Sequence, residues 1–371
     1  MLTEQLMAPV PGGTGRYTRE LTAALGASVP SGWTIAGVTA THPHLGDAVI
    51  SGVPGPRALP LSRRGLTALW EHGVRLWPGG DAVHAPTPLA PPSPKRGRSL
   101  IVTIHDTVPF THPETLTRRG VSWHQKVIQR ATHKAHAIVV PTAAVAADLQ
   151  RYAPGPATVA VIGHGVPEVF RVPMDTHTAA LRTGRLGLPE TFVLAVGTVE
   201  PRKGLDVLIK AMTRRHAPDL PLVVVGPQGW GDVNLTDLAF EFGFPKHRLF
   251  APGRISDEDL AAVLRRAAVL AVPSRAEGFG LPVLEALAVG TPVVHTDVPA
   301  LVEVAGGTGL SVPCDDANAL AAALAHVVTD SAATAARVEQ GRLRASAFTW
   351  EHAAAELWRL HVRFFQMADS R

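Results

Sequence analysis

The chain has 371 residues, 46% hydrophobic and 18% charged, a globular balance long enough for two domains that each bury a core. A single cysteine, Cys314, excludes an intrachain disulfide framework and a cysteine-ligated zinc site, and suggests a reducing, cytoplasmic setting. Neither a signal peptide nor an apolar run of about eighteen residues is recognisable, so no spanning segment is expected.

The net charge of +4 is unevenly placed: residues 1–170 carry 15 Lys and Arg against 9 Asp and Glu, whereas residues 171–371 carry 20 against 22. A basic first half suggests an anionic partner or surface. No aromatic-and-basic pattern points to nucleic acid.

Taken in order, Leu2–Val10 resembles the tail of a first strand, cut short as though part of that strand lay upstream. Pro11-Gly-Gly-Thr-Gly-Arg16 is a glycine loop feeding a helix over about Tyr17–Leu25. Strands are expected at Trp33–Thr39, within Ile50–Pro60 and at Asp81–His84, with a helix at Gly65–Leu76. Ser99–His105 reads as a continuous apolar strand of a parallel sheet covered on both faces. It ends in His105-Asp106, where ligands bind in open α/β sheets. A basic helix follows at Thr117–Ala135, carrying Arg118, Arg119, Lys126, Arg130 and Lys134. Its plain reading is a solvated face; the alternative is peripheral contact with an anionic membrane. Ala137–Val140, Thr142–Tyr152 and Thr158–Ile162 complete the first strand–helix series.

A second series begins after a Gly- and Pro-containing linker. Strands are expected at Phe192–Val196, Leu222–Val225 and Leu249–Phe250. Helices are expected at Leu205–Met212, Leu235–Phe242 and Asp257–Ala267, the last capped by Ser256. Ala317–Thr329 and Ser331–Ser346 are helical, and Thr349–Met367 is a last amphipathic helix. The domain plan is then 1–165, a linker at 166–175, a second domain at 176–347, and a final helix at 348–371 that packs back on the first domain. Two strand–helix alternating halves make an α/β protein of two Rossmann-like domains facing across a cleft.

Residues 271–294, AVPSRAEGFGLPVLEALAVGTPVV, carry the densest signal. A strand end leads into a loop with Glu277, Gly278 and Gly280, then a helix from Pro282 through Glu285, then Gly290 past its end. A glycine loop opening into a helix suits phosphate, because free N–H groups and the dipole both favour negative charge there. A carboxylate among those amides would compete with phosphate. Glu277 and Glu285, the latter expected in the first helical turn, are therefore assigned to sugar hydroxyls. The bland alternative makes Glu285 a dipole cap and Glu277 a solvated charge.

Four segments together resemble the family 4 glycosyltransferases. Gly12-Gly-Thr-Gly-Arg-Tyr17 is similar to their amino-terminal glycine loop, and Thr103-Ile-His-Asp106 to the strand end with the active-site histidine. Gly197-Thr-Val-Glu-Pro-Arg-Lys-Gly204 is similar to the basic diphosphate clamp, although Thr198 stands where many members have arginine. Glu277-Gly-Phe-Gly-Leu-Pro-Val-Leu-Glu285 resembles the paired-glutamate signature. The resemblance implies the GT-B fold and a retaining transfer of hexose, with mannose from GDP-mannose favoured over a UDP-hexose, and with a catalytically silent nucleotide-sugar binder as the alternative. It implies no metal and no separate cofactor, and a glycan, lipid-linked or small-molecule acceptor.

By position, the resemblance gives Glu285 the ribose, and Glu277 and His105 the donor sugar. It gives the amides at Gly278, Phe279, Gly280 and Leu281 the diphosphate or sugar, and Arg202 and Lys203 the phosphates. Arg254 and Ile255 flank the base, and Gly13 approaches the phosphate.

Overall fold

The computed structural model describes residues 1–231 and 233–369. They divide into two compact units, Met1–Gly165 with Thr349–Arg371, and Val166–Phe348.

The first unit contains strands β1 (Val38–Thr41), β2 (Arg57–Ser62), β3 (Ala82–Ala85), β4 (Ser99–Thr103), β5 (Ala137–Val140) and β6 (Thr158–Val161). β1 and β2 pair in parallel as a two-stranded sheet, while β3-β4-β5-β6 form a separate parallel sheet in that order. Alternation sets the two covered faces. Leu100, Val102, Ile138 and Val140 face one core with Leu66 and Ile128; Ile101, Ala137 and Val139 face the other. That second core is closed by the helices Gly12–Ala27 and Trp350–Asp369, through Tyr17, Leu21, Trp350, Leu357 and Trp358. The last helix thus belongs to the first unit.

Two expectations at the start of the chain fail for physical reasons. Only Leu2 of the supposed Leu2–Val10 strand bridges a neighbour, and Glu4–Met7 is a short 3₁₀ helix. The buried Glu4 carboxylate draws the chain aside, accepting from the Thr39 hydroxyl at 2.6 Å and the Ala40 amide at 2.8 Å. The Trp33–Thr39 strand begins only at Val38, the first residue with a partner strand on either side. The glycine loop itself is the first turn of the helix Gly12–Ala27 rather than a lead-in to it.

The second unit contains β7 (Val193–Val196), β8 (Leu222–Val225), β9 (Leu249–Gly253), β10 (Val269–Val272), β11 (Val293–Thr296) and β12 (Leu310–Val312). All are parallel in the order β12-β11-β10-β7-β8-β9. The chain-first strand lies inside the sheet and the order reverses beside it, as in doubly wound nucleotide-binding sheets. Leu194, Val223 and Leu270 face one core; Val193, Leu222, Val224 and Val269 face the other.

Residues 166–175, expected as a linker, are not free of the second unit. Val166 and Phe170 are buried in its core, and Glu168–Arg171 is helical. The helices Thr176–Arg185 and Pro299–Ala305 escaped the sequence reading, although Asp175 caps the first, Pro299 opens the second and Gly306 follows it. Among the described residues no single helix is long and apolar enough to cross a membrane.

Candidate functional site

Parallel strands bring all their carboxyl ends to one edge, so the loops after β7, β9 and β10 gather there. The loop after β10 is Pro273–Gly280, and the loop after β7 runs from Gly197 to Gly204, with Pro201–Lys203 in a 3₁₀ turn. The two loops touch. Gly204 has φ +62°, and a Cβ on it would lie 2.0 Å from the Pro273 carbonyl, so only glycine permits this approach.

The contact aligns an ion cluster. The Glu277 carboxylate accepts from Lys203 Nζ at 2.6 Å, Ser274 Oγ at 2.7 Å and Arg202 Nη1 at 3.1 Å. Arg202 also donates to Glu200 at 2.7 Å and to the Ala276 carbonyl at 2.8 Å. Glu277 is nearly enclosed, its side chain 9% exposed. Burial alone would raise its pKa. The charges of Lys203 and Arg202, with the Lys203 and Ser274 hydrogen bonds, outweigh burial and hold it down at about 2. Glu277 is therefore an anion at neutral pH, and both cations are pre-positioned beside it.

A residue absent from the sequence reading fastens this cluster. The Arg275 guanidinium forks onto Asp206 at 3.0 and 2.7 Å, reaches Asp315 at 2.7 Å and donates to the Pro201 carbonyl at 2.8 Å. Its own amide donates to the Arg202 carbonyl at 2.9 Å. Arg275 thus ties the loop after β10 to the Pro201–Lys203 turn and to the helix Leu205–Met212 that follows it, and the planar fork is the geometry lysine lacks. Its partners are 69 and 40 residues away in sequence, which is why spacing does not reveal it.

The helix Leu281–Val289 follows. Gly280 stands at its N-cap with φ +95°, a left-handed conformation, and supplies no side-chain cap; its carbonyl accepts the Val283 amide at 3.0 Å, and Pro282 has no N–H. Glu285 is the fifth helical residue, not part of the first turn, and is 1% exposed. That removes the dipole-cap alternative, since the dipole effect is confined to the first turn. The Phe279 side chain is 4% exposed and packs edge-on against Phe348 at 5.9 Å, so any ligand contact by Phe279 falls to its main chain. Arg254 and Ile255 directly follow β9 on the same sheet edge; Arg254 is exposed, and Ile255 packs on the core.

The first unit holds the other two assigned residues. Gly13 lies exposed in the first turn of the helix Gly12–Ala27. One turn on, the Tyr17 ring meets His105 edge-on at 4.6 Å and His164 at 4.7 Å. His105 Nε2 lies 2.8 Å from the Pro86 carbonyl. A carbonyl only accepts, so Nε2 carries the hydrogen and Nδ1 is the acceptor nitrogen. Burial lowers the His105 pKa, only partly offset by Pro86 and Asp106, and keeps the ring neutral. It is suited to accept from a hydroxyl rather than to donate a proton.

Two family models divide the chain: "Glycosyltransferase Family 4" matches residues 11–169, and "Glycosyl transferases group 1" matches residues 183–344. The chain belongs to glycosyltransferase family 4. A D-inositol 3-phosphate glycosyltransferase of Stackebrandtia nassauensis is 37% identical over 306 residues, covering 78% of this chain but 65% of that relative. The O-antigen chain mannosyltransferase B of Escherichia coli is 29% identical, covering 71% and 70%. The chain therefore spans about two thirds of the length of these curated relatives. Sucrose-phosphate synthase from Thermosynechococcus elongatus has a TM-score of 0.77 at 25% identity over 99% of this chain and 98% of that one. Anabaena HepE, solved with UDP-glucose, shares the fold at a TM-score of 0.74 and 17% identity over 96% and 98%. The fold is GT-B.

The depressed Glu277 pKa has a defined stability signature. Its contribution is fully present above the ordinary value of 4.5 and is lost as pH falls through about 2. Urea unfolding of wild type and Glu277→Gln should differ most at neutral pH, with the gap narrowing between those two values. A gap independent of pH contradicts the ion cluster.

Proposed function

We propose that the protein is an enzyme that moves a hexose, with retention of configuration, from a nucleotide sugar to a glycan, lipid-linked or small-molecule acceptor. The observation that carries this reading is the pair of cations held ready by Glu277, beside a helix start without a side-chain cap. In the proposed step the sugar C1–O bond to the diphosphate breaks and its electron pair passes to the phosphate oxygen. The acceptor oxygen bonds C1 on the same face, and its proton passes to that phosphate oxygen. Lys203 and Arg202 take the charge that develops on the leaving group, and fixed partners need no reorganisation to do so. On this reading no divalent metal and no separate cofactor is required.

Glu285 binds the ribose hydroxyls, Glu277 orients the donor sugar, and the amides at Gly278–Leu281 line the diphosphate or sugar. Arg254 and Ile255 flank the base and Gly13 approaches the phosphate. His105 accepts from a sugar hydroxyl through Nδ1. The donor we favour is GDP-mannose, and the mannosyltransferase relative supports it. A UDP-hexose is the second reading, and the UDP-glucose complex of a protein of the same fold is what favours it.

Purified protein supplied with GDP-mannose and with UDP-hexoses should turn over the former, in excess chelator as well as without it, giving a product of unchanged anomeric configuration. Glu285→Ala and Lys203→Ala should each reduce turnover about tenfold or more, since each removes a charged hydrogen-bonding partner. Turnover of UDP-hexoses alone replaces the donor. Loss of activity in chelator removes metal independence, and unaltered variants refute the site.

The proposed place of action is the cytoplasm, at an anionic membrane face. Arg118, Arg119, Lys126 and Lys134 are exposed on the helix Arg118–Lys134, whereas Arg130 turns inward to the carbonyls of Trp70 and Glu71. Co-sedimentation with vesicles containing anionic lipid, weakening as salt rises, is the expected result; equal sedimentation with neutral vesicles counts against it.

A further inference from the structure

Two of the assigned residues, Gly13 and His105, lie in the first unit, and the side chain of Tyr17 connects the elements that carry them. Tyr17 is four residues on from Gly13, one turn along the same face of the helix Gly12–Ala27. It is 2% exposed, and its ring centre lies 4.6 Å from that of His105, 4.7 Å from His164 and 5.9 Å from Trp350.

The Tyr17 hydroxyl pairs with Thr103 Oγ1 at 3.0 Å, across 86 residues of sequence. The chain stays extended past the end of β4, where the Ile104 N–H donates to the Val139 carbonyl at 2.9 Å. Strand residues alternate, so Ile101, Thr103 and His105 share the face that the helix covers, while Leu100, Val102 and Ile104 point to the other core. Tyr17 therefore lies lengthwise along this face. Its hydroxyl holds Thr103, and its ring meets His105 edge-on.

The anchor is fixed in turn. Thr103 Oγ1 lies 3.0 Å from His84 Nε2 on the neighbouring strand β3, so Tyr17, Thr103 and His84 form a buried chain of hydrogen bonds. Burial raises the Tyr17 pKa, and the Thr103 bond offsets this only in part. The phenol stays neutral, and what it offers His105 is a place rather than a charge.

His105 needs such a contact. The terminal torsion of a histidine ring is broad, so the one hydrogen bond from Nε2 to the Pro86 carbonyl leaves the ring tilt unset. Tyr17 supplies the second restraint. His164, 5.6 Å from His105 and stacked on Trp350 at 6.0 Å, backs the Tyr17 ring.

We propose that Tyr17, anchored on Thr103, is a positioning residue for sugar transfer that sets the His105 ring against the helix start at Gly13. The inference rests on the transferase reading of His105 and Gly13, and adds two residues that act through His105 without touching the donor.

The test uses Tyr17→Phe, the nearly isosteric Thr103→Val, and the double variant. Donor affinity rests on the second unit in the proposed function, so a mis-tilted His105 should show in kcat, with donor KM within about twofold of wild type. Each single variant should lower kcat roughly tenfold, well inside what a misplaced group can cost. The double variant should be no worse than the poorer single one, since one bond is lost once. Thr103→Ser, which returns the hydroxyl, should recover most of the loss. A second readout needs no turnover. The His105 ring resonances, assigned by their absence in His105→Gln, should shift in Tyr17→Phe and Thr103→Val and return towards wild type in Thr103→Ser. Single variants that lower Tm but leave kcat or these resonances as in wild type overturn the proposal, because the bond is then structural only. A double variant that loses the product of the two single losses overturns it as well. If wild type turns over no nucleotide sugar, the transferase reading fails by itself, and the resonances alone decide whether Tyr17 sets His105.

Discussion

The Glu277 carboxylate is the charge on which the candidate site depends. Alone in an enclosed position it would be expelled or protonated. It stays ionised because Lys203, Arg202 and Ser274 converge on it within 3.1 Å. The same bonds keep two long, mobile cations in place before any ligand arrives. A diphosphate, like a carboxylate, presents anionic oxygens that accept charge-assisted hydrogen bonds, which is why the proposed function gives these cations the leaving group.

That order extends outward in layers. Gly204 lets the two loops meet, Arg275 ties them together, and the parallel sheet beneath fixes where both begin. Each layer answers a simple constraint: a close backbone approach, a fork of donors needing carboxylates, and strands covered on both faces. The site is made by loops, but its precision comes from β7 and β10, which pair directly.

Much of this was legible in the sequence because it is local. The strands of the second unit read as apolar runs, the helix Leu281–Val289 is announced by Gly280-Leu-Pro282 and Gly290, and the spacing of Glu277 and Glu285 singled out both. What was not legible depends on distant partners. Arg275 finds Asp206 and Asp315 only after folding, and the pairing of Glu277 with Lys203 spans 74 residues. The sequence places Glu285 in the first helical turn, whereas the helix begins at Leu281 and sets it fifth, buried. At the other end of the chain, Trp33–Gly37 has the composition of a strand but pairs only at Gly37, with Pro54 and Arg57, and Glu4 finds buried hydrogen bonds to Thr39 and Ala40.

The most direct test of the central claim is calorimetric affinity for a nucleoside diphosphate against its parent nucleoside, in wild type and in Lys203→Met. Wild type should prefer the diphosphate by more than about tenfold, the effect of one charged contact, and Lys203→Met should erase most of that preference. A preference that survives the substitution undiminished would mean that the cations gathered by Glu277 are not the diphosphate clamp.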